Sequence, residues 1–332
     1  MEKTYVITGD HKGLSLFHFL KAVLPDLDRK FLRRLVGAGQ ALVNGTTQDP
    51  ARPLRVGDLV SLELPEGPAA KRPIEPPRVL YEDAAIIALD KPAGISAIRE
   101  RDRARDTIVD AYLASLPEAS RPRERPRVVH RLDKDTSGVL LLARTREAKV
   151  ALYEEFVARR VEKSYLALVI GRVPDDEGHI EERIGYQKRQ KNRMVVSETG
   201  KKAITDYHVK TRYRGYTLVR VLPRTGRTHQ IRVHFAYLGF PVLCDKLYGG
   251  GETMLLSELK PDYKPRRGEQ ERPLLSRQAL HAHALTFKTP ATGEMVTVES
   301  PLPKDLLVVL KKLDKYALLG PGGAVTRSWR PW

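Results

Sequence analysis

The chain has 332 residues, 41% of them hydrophobic and 30% charged, enough for a genuine core in one large or two unequal domains. Its net charge of +17 favours a polyanionic partner, nucleic acid first, although a basic and highly soluble protein gives the same total. The single cysteine, Cys244, excludes an internal disulfide and a multi-cysteine zinc site. The start "MEKTYVITGD" lacks a signal-peptide core and no apolar run approaches the roughly 20 residues that span a bilayer, so a cytoplasmic protein without membrane contact is expected.

In "LSLFHFLKAVL", Leu16, Leu20 and Val23 fall at helical spacing with Ser15 near the start. "DRKFLRRLV" predicts a second short helix with Phe31, Leu32 and Leu35 inward. Arg29, Lys30, Arg33 and Arg34 are then left for an exposed face, which read as a charge run is a solvated surface. The Asn-Gly pair of "ALVNGTTQ" signals a hairpin, and "RPLRVGDLVSLELP" reads as a further turn and strand. This order of two short helices, "GQALVNG" and "VGDLVSLEL" resembles the small RNA-binding module named after ribosomal protein S-four. The resemblance implies an RNA-binding module over residues 1–64, with the basic helix Arg29, Lys30, Arg33 and Arg34 facing structured RNA.

Residues 65–78, "PEGPAAKRPIEPPR", hold five prolines and almost no apolar anchors, the composition of an extended linker. Residues 1–64 carry nine Lys/Arg against seven Asp/Glu, so nearly all of the positive excess belongs to the larger remainder. There "VLYEDAAIIALDKPAG" predicts strand, turn, strand and a Lys-Pro turn, and residues 107–116 a short helix. "GVLLLA" reads as a buried strand, and Thr145 as the cap of a helix with Ala148, Leu152 and Phe156 on one face. "KSYLALVIG" and "YTLVRVL" are further strands, and "THQIRVHFAYLG" a helix ended by Gly239. The tail "GPGGAVTRSWRPW" holds both tryptophans without periodicity.

Two stretches could carry chemistry. "HRLDKDTSG", residues 130–138, sets Asp133 and Asp135 between apolar segments, at a strand end. A carboxylate there can be a base, a metal ligand or a covalent nucleophile, or the stretch is only a polar turn folded by Thr136 and Ser137. In "RTGRTHQIRVHFAYLG", Thr228 can cap the helix, and Arg224, Arg227 and the first-turn N–H groups form an anion-binding end. Ile231, Phe235 and Leu238 should face the core, while His229 and Arg232 share the neighbouring edge. An arginine so placed commonly pairs with a carboxylate, either to aim it or merely to join helix to sheet. His281 and His283 of "HAHA" alternate along a strand with no third ligand nearby, which favours structural roles over a metal site.

"HRLDKDTSGVLLLAR", "KSYLALVIG", "GKKAITDYHV", "RTGRTHQIRVHFAYLGFPVLCDKLYG" and "RQALHAHALTF", in that order, together with "LDKPAGISA", resemble the RluA-type pseudouridine synthases over residues 79 to about 305. The resemblance implies an α+β catalytic domain at 79–317, built on a mixed, largely antiparallel sheet flanked by helices, and a loose tail at 318–332. It implies Asp133 as the catalytic aspartate, Tyr165 as the active-site tyrosine and Arg232 as the partner of the aspartate. Leu280 matches a residue lining the uracil pocket, and Arg131 one that fills the space left by a flipped nucleotide; His130, fixing the loop, and Arg227 complete the substrate side. Lys188, Arg189, Lys191 and Arg193, an acid-free cluster, join the α-helical basic residues as candidates for the RNA backbone. Phe240 and Cys244 stand where many members have His and Gly, and Thr289 where His is usual. The implied reaction needs no cofactor or metal and acts on a flipped uridine of RNA, large-subunit ribosomal RNA first and transfer RNA second, by a protein acting as a monomer. A catalytically silent RNA-binding or ribosome-assembly factor would use the same basic surface, and a hydrolytic nucleosidase with a carboxylate nucleophile would release free uracil and leave an abasic site.

Overall fold

The computed structural model describes residues 2–24, 29–49, 52–63, 76–98, 107–187, 193–260, 262–263 and 271–319. They fall into two compact units, one containing the described residues up to 63 and the other beginning at Pro76. In the first, β1 (Glu2–Val6) is followed by α1 (Leu16–Val23), α2 (Arg29–Gly37), β2 (Ala41–Val43) and β3 (Leu59–Glu63), and the strands pair antiparallel in the order β1-β3-β2. The Ser15 hydroxyl accepts the His18 N–H at the start of α1. Leu16, Phe19, Leu20, Leu32 and Leu35 pack on Val43, Val60 and Leu62, each such buried side chain contributing about 1.5–3 kcal/mol. Asn44 and Gly45 both take positive φ, which gives the tight two-residue turn that Asn-Gly favours.

The second unit runs β4 (Arg78–Glu82), β5 (Ile86–Lys91), α3 (Ile108–Ser115), β6 (Arg127–Val128), β7 (Ser137–Ala143), α4 (Arg146–Val157), β8 (Glu162–Ile170), β9 (Glu177–Tyr186), β10 (Met194–Val196), β11 (Lys201–Tyr213), β12 (Tyr216–Pro223), α5 (Gln230–Tyr237), β13 (Leu280–Lys288), β14 (Met295–Glu299) and α6 (Lys304–Tyr316). Its eleven strands form one sheet, β10-β9-β11-β12-β8-β13-β7-β5-β4, with β14 on β13 and β6 on β7. Thr107 closes a capping box at α3, and Thr145 caps α4 by accepting the Ala148 N–H at 3.1 Å. Every residue of β7 is buried, because the sheet is covered on both faces there.

Among the named strands all the pairings are antiparallel except β13 with β7, which runs parallel through His281–Ser137 and Ala282–Gly138. That exception positions the site. It lays the start of β13 beside the start of β7, while antiparallel β8 brings Tyr165 opposite Ala282. Gly138 makes the close pairing feasible: it has φ of 117°, and a Cβ there would collide with the Ala282 backbone.

No helix among the described residues is long and apolar enough to cross a membrane. Residues 65–75 of the expected linker and the tail from residue 320 lie outside the described residues.

Candidate active site

Asp133 sits in the connection that enters β7, and this connection is fastened on several sides. The Thr136 N–H bonds the Asp133 carbonyl at 3.1 Å, closing a turn. Lys91, fully buried at the end of β5, donates from Nζ to the carbonyls of Pro92 and Lys134 at 2.9 and 3.0 Å. Burial lowers its pKa to about 7 against the pull of Asp135 and Asp133. The Gly94 N–H reaches the same Lys134 carbonyl at 2.9 Å, so the Lys-Pro-Ala-Gly turn acts as a bracket for the loop. Gln278, just before β13, donates to the Thr136 hydroxyl at 2.6 Å, and His281 in β13 bonds Ser137 at 3.0 Å. Thr136 and Ser137 therefore do fold the loop, and Asp135 is exposed beside it.

Arg232 arrives from α5. Its Nη1 donates to Asp133 Oδ2 at 2.8 Å, while Nε and Nη2 donate to the two oxygens of Asp245 at 2.6 and 2.8 Å. Asp245 is only 1% exposed. Burial opposes the Arg232 charge, but the hydrogen bonds to Asp245 and the two carboxylate charges outweigh it, and the pKa rises. The Tyr248 ring lies under the guanidinium, 5.0 Å from its carbon. Among the described residues Asp133 Oδ1 accepts no hydrogen bond; His229 Nε2 faces it from 3.9 Å, beyond bonding distance. One oxygen of Asp133 is thus oriented and the other left available.

Tyr165 packs between the two apolar clusters that flank the sheet centre, and burial together with the Asp133 charge raises its pKa, so the phenol stays protonated. Leu280, buried at the first position of β13, belongs to one of the same clusters. Arg131 is exposed two residues before Asp133, and its charge is felt at His229. The geometry therefore gathers Asp133, Arg232, Tyr165 and Leu280 around the junction of β7, β8 and β13.

Other expectations are corrected. His130 is spent on the fold: its Nε2 accepts the Leu141 N–H at 3.0 Å and its ring stacks on Phe156, centroids 5.1 Å apart. Burial lowers its pKa to about 3, so it is a neutral acceptor and a loop-fixing residue, not a substrate contact. The anion-binding end before α5 is already occupied. Arg224 pairs with Asp206 at 2.6 Å, Arg227 Nε donates to the Lys202 carbonyl at 3.0 Å, and the Arg227 N–H is taken by Gln230 Oε1. The cap position belongs to His229, which has φ of 56°, and not to Thr228. Ile231 and Phe235 are buried as expected, whereas Leu238, past the end of the helix, is 37% exposed.

His281 and His283 both bond the Ser300 carbonyl, at 3.1 and 3.0 Å, as structural residues. Arg33 is exposed and lies 5.1 Å over the Phe17 ring; the side chains of Arg29, Lys30 and Arg34 lie outside the described residues. So do Lys188, Arg189 and Lys191, while Arg193 is half-buried with its guanidinium 5.7 Å from the Tyr248 ring centre.

Sequence reasoning missed Asp245, Tyr248 and the bracketing role of Lys91. Asp245 and Tyr248 lie in "CDKLYG" and Lys91 in "LDKPAG", segments that mark the family without revealing which side chain turns inward. A buried carboxylate 13 residues beyond Arg232, across an irregular turn, has no periodic signal.

The profile of the RNA pseudouridylate synthases matches residues 85–237. Ribosomal large subunit pseudouridine synthase D of Xanthomonas campestris is 37% identical over 312 residues, covering 93% of this chain and 91% of that protein. The enzyme of the same name from Pseudomonas aeruginosa is 35% identical over 93% of this chain and 95% of its own length. Among solved structures, human RNA pseudouridylate synthase domain containing 1 superposes with a TM-score of 0.55 at 27% identity, covering 75% of this chain and 89% of that one.

Proposed function

The chain belongs to the RNA pseudouridylate synthase family, and from that premise we propose that it isomerises uridines of large-subunit ribosomal RNA, with Asp133 as the reacting carboxylate. The observation that carries the site assignment is the bond from Arg232 Nη1 to Asp133 Oδ2, with Oδ1 accepting no hydrogen bond among the described residues. The isomerisation breaks the bond between nitrogen 1 and the anomeric carbon and makes one from carbon 5 to the same carbon. A proton leaves carbon 5 and one is gained at nitrogen 1, so atoms and electrons balance within the nucleotide. Asp133 acts at the sugar through Oδ1, Arg232 holds its charge and direction, and Tyr165 and Leu280 bound the pocket for the detached uracil.

A stacked uridine does not expose these atoms, so the nucleotide is flipped, with Arg131 filling the space it leaves. The positive charge supplies phosphate attraction that weakens steeply with salt. The first unit, with Arg33 exposed on α2, serves as the RNA-binding module, and the protein works as a cytoplasmic monomer. Support for the ribosomal substrate comes from the names of its relatives. Mapping pseudouridines in ribosomal and transfer RNA from cells with and without the gene tests it. Large-subunit positions should revert to uridine; loss confined to transfer RNA would overturn the substrate assignment.

A further inference from the structure

Four non-glycine residues among those described have positive φ, and two of them, His229 and Cys244, flank the Arg232–Asp245 pair. For a residue with a Cβ this conformation costs on the order of 1 kcal/mol, and such strain gathers where a side chain must be aimed. At His229 it is the aim of the ring that is fixed. Nδ1 lies 2.8 Å from the Tyr248 hydroxyl, and that hydroxyl already accepts the Met194 N–H at 3.0 Å. Burial raises the Tyr248 pKa, so the phenol keeps its proton, and His229 Nδ1 is the acceptor left for it among the described residues. The proton of a neutral His229 is therefore on Nε2, the nitrogen that faces Asp133 Oδ1 from 3.9 Å. Burial also lowers the His229 pKa in spite of the Asp133 charge, which keeps the ring neutral.

This arrangement leaves an N–H donor on a half-buried ring beside the free oxygen of the reacting carboxylate, too far to bond it. We infer that His229 donates its Nε2–H to an oxygen of the flipped nucleotide, next to the atom at which Asp133 acts. The assignment rests on the synthase reading. Two oxygens have the right chemistry, the ribose hydroxyl at position 2′ and a uracil carbonyl. Either would be held against the carboxylate by a donor whose direction is set through Tyr248, with no reorganisation at the moment of reaction.

The test exploits side-chain reach at a position where backbone strain must not change the answer. His229→Asn tolerates positive φ and places its amide where Nδ1 was, so it can still meet Tyr248 but cannot reach the nucleotide. His229→Gln extends an amide N–H to the Nε2 position. On a large-subunit ribosomal RNA transcript, His229→Asn should lose about 100-fold in kcat, the scale set by removal of one preorganised donor, and His229→Gln should recover much of it. Repeating the measurement with 2′-deoxyuridine at the target identifies the oxygen. A penalty that vanishes on that substrate assigns the ribose hydroxyl, and one that persists assigns the uracil. Wild-type rates in both variants, an equal loss in both, or a loss confined to His229→Gln would overturn the inference, the last pointing to a bracket for Tyr248 alone. Absence of pseudouridine with the wild-type protein would instead defeat the synthase reading itself.

Discussion

Arg232 holds Asp133 with one nitrogen only, Nη1 at 2.8 Å, because Asp245 takes Nε and Nη2. The two-point grip of the buried carboxylate fixes the plane of the guanidinium, and the third nitrogen then points where the loop presents Asp133. A monodentate bond orients one carboxylate oxygen without occupying the other. Were Asp245 absent, the guanidinium could turn and take both oxygens of Asp133, which would hold the reagent more tightly and expose it less.

Asp245→Asn should therefore impair a residue that touches no substrate. Breaking a buried ion pair from one side costs about 3–5 kcal/mol, so a fall of that size is expected in chemical denaturation. Turnover should drop about ten- to a hundred-fold with KM changed little, since the lost feature is the aim of Asp133 and not the binding of RNA. Steady-state kinetics at a temperature where the variant is folded check this; a raised KM with unaltered kcat would contradict it.

Lys91 gives a pH signature. With its pKa lowered by burial from 10.5 to about 7, the unfolded chain binds a proton across that interval that the folded chain does not. The Lys91 contribution to stability is fully present above pH 10.5 and is lost as pH falls through about 7. Unfolding free energy measured against pH should rise more steeply between those values for the wild type than for Lys91→Met. Parallel curves for the two proteins would show that the lysine is not held neutral. The same variant lacks the Nζ bond to the Lys134 carbonyl, so its loop should be freer and its kcat about ten-fold lower.

Gly138→Ala probes the parallel junction of β7 with β13. A Cβ at φ of 117° would meet the Ala282 backbone, so β7 and β13 must separate where Ser137 bonds His281. A loss of about 3 kcal/mol or more is expected, from strain and from the broken pairing together. Thermal unfolding checks it, and a midpoint within a degree of the wild type would contradict the close approach.

The elements with strong local signals were legible in the sequence. The Asn44–Gly45 turn, the Thr145 cap, the buried run of β7 and the helix ended by Gly239 each follow from two or three neighbouring residues. The pairing of Arg232 with Asp133 also follows from the family motifs, because both residues lie within them. What was hidden depends on contacts made across the sheet. Nothing in "CDKLYG" says that Asp245 turns under Arg232, or that Tyr248 turns toward His229. The start of α5 misled because Thr228 is a good cap by composition, whereas Gln230 folds its own side chain back onto the preceding loop and makes His229 the first, strained position. His130 misled differently. It was placed on the substrate side as well as in the loop, but its ring turns toward α4 and stacks on Phe156.

The most direct measurement is tritium release from large-subunit ribosomal RNA labelled at carbon 5 of uridine, wild type beside Asp133→Asn. The amide is nearly the same size and can still lie against Arg232, so the fold should survive while the charged oxygen is lost. Release by the wild type and none above background by Asp133→Asn is the expected result. Release that persists in the folded variant would remove Asp133 from the chemistry.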